Sequence, residues 1–110
     1  MLLLVMNLKK KINNKKVAIV TGAGSGIGKA VALGLAREGV YTYLAGRKKD
    51  KLLTTKQISI KENNVGICHV IKCDVSKETD VRKMFMLIHK HHGRLDLLFN
   101  NAGIGLKANT

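Results

Sequence analysis

The chain has 110 residues, of which 45% are hydrophobic, enough for one small folded domain or part of a larger one and too much for a disordered tail. It carries 20 Lys and Arg against 7 Asp and Glu, a formal net charge of +13, so its surface attracts phosphates of any kind. Aromatic residues make up only 4% of the chain, which leaves few platforms for stacking bases and removes a specific nucleic-acid partner from the expectation.

The opening MLLLVM is too short to span a membrane, and its basic residues follow the apolar stretch, the reverse of a secretory signal. Lys9, Lys10, Lys11, Lys15 and Lys16 then stand among asparagines. Residues 1–15 therefore read as a solvated basic arm and residues 16–110 as the folded part, with a cytoplasmic setting and no membrane contact expected.

Val17–Thr21 is a continuous apolar run, as in a parallel strand buried on both faces. Residues 21–28 read TGAGSGIG and run directly into a helical pattern. A helix N-terminus offers unpaired N–H groups and the positive end of a dipole, and glycines let the backbone approach a pyrophosphate closely. The spacing selects among nucleotide loops. Lys29 follows Gly28, but Ala23 and Ala30 stand where a Walker loop needs glycine and Ser or Thr. A G-x-G-x-x-G fingerprint starting at Gly22 would need glycine at position 27, which is Ile27. The loop fits T-G-x-x-x-G-x-G, with Gly22, Gly26 and Gly28.

The following helix places Ile27, Ala30, Val31, Gly34 and Leu35 on one expected apolar face, with Arg37 in its last turn and Gly39 just past its end. A strand over 40–45 comes next, then a weaker helix over 49–62, in which Leu52, Leu53, Ile58 and Ile60 make no clean stripe. A strand is expected over 66–72. Ser76 reads as the N-cap of a third helix, with Glu78 and Asp80 near the positive dipole end and Val81, Met84, Phe85 and Ile88 at helical spacing up to Gly93. A last strand over 95–99 leads into Asn100-Asn101-Ala102-Gly103. Cys68 and Cys73 would point to opposite faces of one strand, so they read as free thiols.

The order β-α-β-α-β-α-β implies an α/β fold of Rossmann type, a doubly wound parallel sheet that is incomplete here. Ligands of such sheets bind at the carboxyl ends of the strands. If the strands before the glycine loop and before Asn100 are neighbours, both turns line one crevice. The last strand, rich in leucine, would form an exposed apolar edge, a route to self-association.

With TGAGSGIG at 21–28, Cys73-Asp74-Val75 after the third strand and NNAG at 100–103 after the fourth, residues 16–104 resemble the short-chain dehydrogenase/reductase family, in its N-terminal, cofactor-binding half. The resemblance implies an NAD(P)-dependent oxidoreductase moving hydride between nicotinamide and a small carbonyl or alcohol substrate. It assigns Gly22, Ser25, Gly26, Ile27 and Gly28 to the pyrophosphate turn. Asp74 and Val75 fall to the adenine, and Asn101, Ala102 and Gly103, with Asn100, to the turn beside the nicotinamide ribose. An ordinary turn or cap aspartate is the competing reading of Asp74. At the end of the second strand an enzyme using NAD presents an acid to the ribose hydroxyls. Here Gly46 is followed by Arg47, Lys48 and Lys49, so the expected cofactor is NADP rather than NAD, with Arg47 and Lys48 on its 2′-phosphate.

The family's chemistry, by the same resemblance, needs a Tyr-x-x-x-Lys pair and a Ser, all beyond the NNAG turn. The chain ends seven residues after Gly103, and its tyrosines are Tyr41 and Tyr43 on the second strand. Tyr43 and Arg47 have the spacing with the wrong cation. No catalytic residue is assigned. His89 and His92 share a helix face without an acid or cysteine beside them, so no metal site is expected. Asp96 reads as a structural carboxylate at a strand end, and His69 as a strand side chain. A catalytically inactive, truncated dinucleotide-binding or interaction module is the alternative function. A basic nucleic-acid-associated protein is the weakest.

Overall fold

The computed structural model describes the backbone of residues 3–6 and residues 16–101. In chain order the elements are β1 (Leu3–Met6), β2 (Val17–Thr21), α1 (Gly26–Arg37), β3 (Tyr41–Gly46), α2 (Lys49–Lys61), β4 (Cys68–Lys72), α3 (Glu78–His92) and β5 (Leu97–Asn100). One five-stranded sheet runs in the order β1-β5-β2-β3-β4. The pairings β5–β2, β2–β3 and β3–β4 are parallel, as the alternation of strand and helix requires. β2 is the middle strand of the five and is buried along its whole length. β2 and β5 are neighbours, so the turns that follow them open on the same crevice.

The strand period of two sorts the core into two layers. Val20, Leu44, Cys68 and Phe99 face α1 and α2, where Ala23, Ala32, Ala36 and Leu52 meet them. Val17, Ile19, Tyr43, Ala45 and Cys73 face the other way, against Met84 and Ile88 of α3. Cys68 and Cys73 are free, buried and on opposite layers, as their odd separation dictates. Gly93 ends α3 in the left-handed conformation, with φ of 67°.

Three sequence expectations are corrected, and the docking face of α2, which the sequence left open, is supplied. The buried side of α1 is Gly28, Ala32, Leu33 and Ala36, while Ile27 is 56% exposed and Val31, Gly34 and Leu35 are half-buried. α1 is apolar almost all round, so periodicity cannot choose a face. The close approach of helix to sheet does, by taking Gly28, Ala32 and Ala36 at the nearest points, with Leu33 beside them. α2 docks through Leu52, Thr55 and Ser59, a stripe hidden from a hydrophobic pattern because two members carry hydroxyls. Ser76 is not a cap: Lys77 holds that position, and the Ser76 hydroxyl turns back to Asp74. The expected open edge at the last strand is covered, because β1 pairs antiparallel with β5 over all four of its residues, from Leu3 opposite Asn100 to Met6 opposite Leu97. An apolar strand with unpaired N–H and C=O groups takes up whatever extended segment lies within reach.

Candidate functional site

Thr21, the last residue of β2, sets the chain on its turn. Gly22 and Gly26 have φ of 64° and 57°, a region that a side chain disfavours. At Gly28 the constraint is space: a Cβ there would overlap the carbonyl of Gly22. The loop is held from two sides. The Ala23 N–H donates to the Ala45 carbonyl of β3, and the Thr55 hydroxyl of α2 donates to the Ala23 carbonyl at 3.0 Å. Ser25 is the N-cap of α1 but makes no side-chain cap bond, and the first turn holds no acid. The first N–H groups of this helix are therefore left to an external acceptor, with the positive dipole end behind them.

Across from the loop lies the end of β3. Gly22, Gly24 and Ser25 on one side and Gly46, Arg47, Lys48, Lys51 and Leu52 on the other enclose a cleft of about 270 Å³. Arg47 and Lys48 are thus brought to the glycine loop, while Lys49 is not among the lining residues. Lys51 is, and sequence reasoning missed it. The available signal was its place three residues after Lys48, on the same face of α2. Its backbone end is seated against the loop, since a Cβ on Gly24 would come within 2.8 Å of the Lys51 Cβ. No acid lines the cleft.

Asp74 stands at the end of β4. Its Oδ1 accepts from the Ser76 N–H at 2.9 Å and from the Ser76 hydroxyl at 2.6 Å, and its own N–H donates to Asp80 Oδ2. These Ser76 bonds, with Arg47 and Lys77 nearby, hold the Asp74 carboxyl below its ordinary value. One of its oxygens thus serves the local turn. Val75 packs partly into the α3 layer.

On the other flank of the loop, Thr21 Oγ1 donates to Asn100 Oδ1 at 2.9 Å and accepts from the Asn101 N–H at 2.8 Å. The Asn101 carboxamide reaches Gly28, where a Cβ would meet Asn101 Nδ2 at 3.0 Å. The two turns are thereby tied at the start of α1. Ala102 and Gly103 lie outside the described residues.

Tyr43 is a core residue. Its hydroxyl bonds His92 Nε2 at 2.8 Å, and burial, with Tyr41 beside it, pushes its pKa up to about 12, the opposite of what an acid–base tyrosine needs. His69 and His92 are spent on the same ring cluster, with centroids 4.9 Å and 5.5 Å from Tyr43. Among the described residues no group of three His, Cys, Asp or Glu is placed to hold a metal. Asp96 is structural, accepting from the Val17 N–H at 2.8 Å and from Arg94. A larger groove along α3, past Val81, Phe85 and Met86, is apolar and lacks the convergent polar groups of a nucleotide site.

Comparison with known proteins fits this geometry. The family pattern described as short chain dehydrogenase matches residues 16–110. The chain is 42% identical over 89 residues to farnesol dehydrogenase of Aedes aegypti, covering 81% of this chain and 36% of that protein. It superposes on menthone neomenthol reductase from Mentha piperita with a TM-score of 0.75 at 32% identity, over 82% of this chain and 32% of that one. A metagenomic short-chain oxidoreductase in complex with NADP gives a TM-score of 0.71 at 30% identity, over 76% of this chain and 37% of that one. The chain thus spans about a third of the length of these relatives.

Proposed function

The chain belongs to the short-chain dehydrogenase family, and from that premise we propose that residues 16–110 are the coenzyme-binding portion of an NADP-dependent oxidoreductase acting on a small carbonyl or alcohol. One observation carries the cofactor choice. Arg47, Lys48 and Lys51 share a cleft with the glycine loop, and no acid lines it. A 2′-phosphate would meet the planar fork of Arg47 and two ammonium groups there, whereas the carboxylate that would bind ribose hydroxyls and repel that phosphate is missing.

The residues present suit a dinucleotide. The uncapped N–H groups at the start of α1 would take the pyrophosphate, with Gly28 leaving room for the turn and Ile27 exposed beside it. Asp74 would meet the adenine from the β4 end with its remaining oxygen, and the Asn100–Asn101 turn, with Ala102 and Gly103, would border the nicotinamide ribose. When bound, the coenzyme supplies or accepts hydride. These residues hold and orient it, and none in the described cleft is placed to move a proton. The 110 residues are therefore expected to bind the coenzyme without turning a substrate over.

Farnesol dehydrogenase and menthone neomenthol reductase, by their names, act on an alcohol and a ketone, which supports the substrate class. A cytoplasmic setting belongs to the same reading. It is supported by two free thiols whose pKa values burial raises, as suits inert cysteines in a reducing compartment. No helix among the described residues is long and apolar enough to cross a membrane.

The test is a pair of titrations. NADPH is expected to bind about tenfold more tightly than NADH, and Arg47→Ala with Lys51→Ala to abolish the difference by weakening NADPH alone. Equal affinities in the native chain, or a preference that survives the substitutions, would overturn the NADP assignment. Failure of both dinucleotides to bind would overturn the coenzyme-binding role itself.

A further inference from the structure

The order β4-β3-β2-β5 is the first half of a doubly wound sheet followed by the first strand of its second half. In that topology the next strand of the chain pairs with the free side of β5 and runs parallel to it. Here that side is taken by β1, which runs antiparallel and matches β5 residue for residue. The two elements lie at opposite ends of the described chain, so this is not a hairpin. The connection is easily made. Met6 lies beside Leu97, and Leu97 beside Ala18, so β1 ends at the edge where β2 begins. The gap is two strand spacings, about 10 Å, well inside the roughly 33 Å that ten residues reach at full extension. β5 also needs a cover: Leu97, Leu98 and Phe99 give it apolar side chains on both faces, with Phe99 buried.

We propose that Leu3–Met6 is a resident edge strand in the slot that the sheet's continuation uses, so that this segment and any apolar strand parallel to β5 exclude each other. The segment therefore docks on β5 when that edge is open and leaves it when the edge is taken. In any longer form of the protein the segment must be displaced for the sheet to grow. Without a following strand it closes the edge that would otherwise recruit another chain. The inference does not rest on the coenzyme assignment, because it is argued from strand pairing alone and both of its tests are read without dinucleotide.

Two measurements test it. Hydrogen exchange is followed over residues 97–100 in the full chain and in a chain lacking residues 1–6. Exchange is expected to be about tenfold faster in the shortened chain, and a synthetic peptide of residues 1–11 is expected to restore protection. Equal exchange in both chains, or protection that the peptide does not restore in a folded shortened chain, would overturn the proposal. The second measurement keeps the full chain, in case the shortened one does not fold. The V5C/L98C variant joins register partners and is expected to form a disulfide within one molecule on mild oxidation. A bond formed only between molecules, or no faster than in a V5C/K61C control, would refute it.

Discussion

Gly28 shows how one residue can be fixed by two demands at once. The first turn of α1 must lie against the carbonyl of Gly22, and the same turn must present its N–H groups outward. A methyl group at this position has no direction in which to relax, since the obstruction is backbone. Gly28→Ala is expected to cost about 1–3 kcal/mol of stability and to weaken dinucleotide binding at least as much. Urea midpoints and NADPH titration read the two effects separately. Gly26 differs, because a Cβ there meets nothing and only its φ of 57° argues for glycine. Asp96 illustrates a buried charge with a structural task. Burial pushes its pKa up, but Arg94 and the Val17 N–H together hold it below the ordinary carboxylate value.

At the scale of elements, α2 and α3 are docked by different chemistry. α2 sits on Leu52, which is 1% exposed, lies under Gly46 and lines the cleft proposed for the coenzyme. Leu52→Ala is expected to cost about 2–4 kcal/mol, seen in the urea midpoint, and to loosen the cleft enough to raise the NADPH dissociation constant. α3 is anchored at its C-terminal end by His92 against Tyr41 and Tyr43, with His69 of β4 in the same cluster. Burial depresses the pKa of His92, with His91 adding to it. His69 is depressed by burial and by Lys56, His91 and His92. The folded protein therefore resists protonation that the unfolded chain accepts at about pH 6.5. Stability is complete above that pH and falls as pH drops below it, because protons then favour the unfolded state. Urea unfolding between pH 7 and 5 checks this, and His92→Gln is expected to flatten the dependence.

For the molecule as a whole, charge and topology set the behaviour. A net charge of +13 on 110 residues places many cations within a Debye length of one another. Self-repulsion then opposes the compact state, and added salt relieves it. The melting temperature is expected to rise by several degrees between about 10 and 150 mM sodium chloride, where the Debye length falls from ~30 to ~8 Å. No change would mean that the cations are too dispersed to repel. The same charge gives the protein a general attraction for phosphate, and part of it, on Arg47, Lys48 and Lys51, lies in the cleft that the glycine loop and the uncapped start of α1 share.

Sequence alone determined what depends on neighbours along the chain. The strand-turn-helix around Gly22 and Gly28, the stop at Gly93, the separation of Cys68 from Cys73 and the parallel direction of β2 to β5 follow from local periodicity, turn chemistry and the right-handed crossover that a helix between two strands imposes. Tertiary structure alone decided what depends on residues far away in sequence. α1 turns Ala32 and Ala36 inward rather than Ile27 because the closest approach of helix to sheet leaves room there for little more than a methyl group. Lys51 enters the cleft because Gly24 seats its backbone end. Ser76 stands one residue ahead of the cap at Lys77, with its N–H and its hydroxyl both donated to Asp74. The edge of β5 is closed by Leu3–Met6 because backbone hydrogen bonding is indifferent to sequence distance, and no local pattern records which segment an open strand will accept.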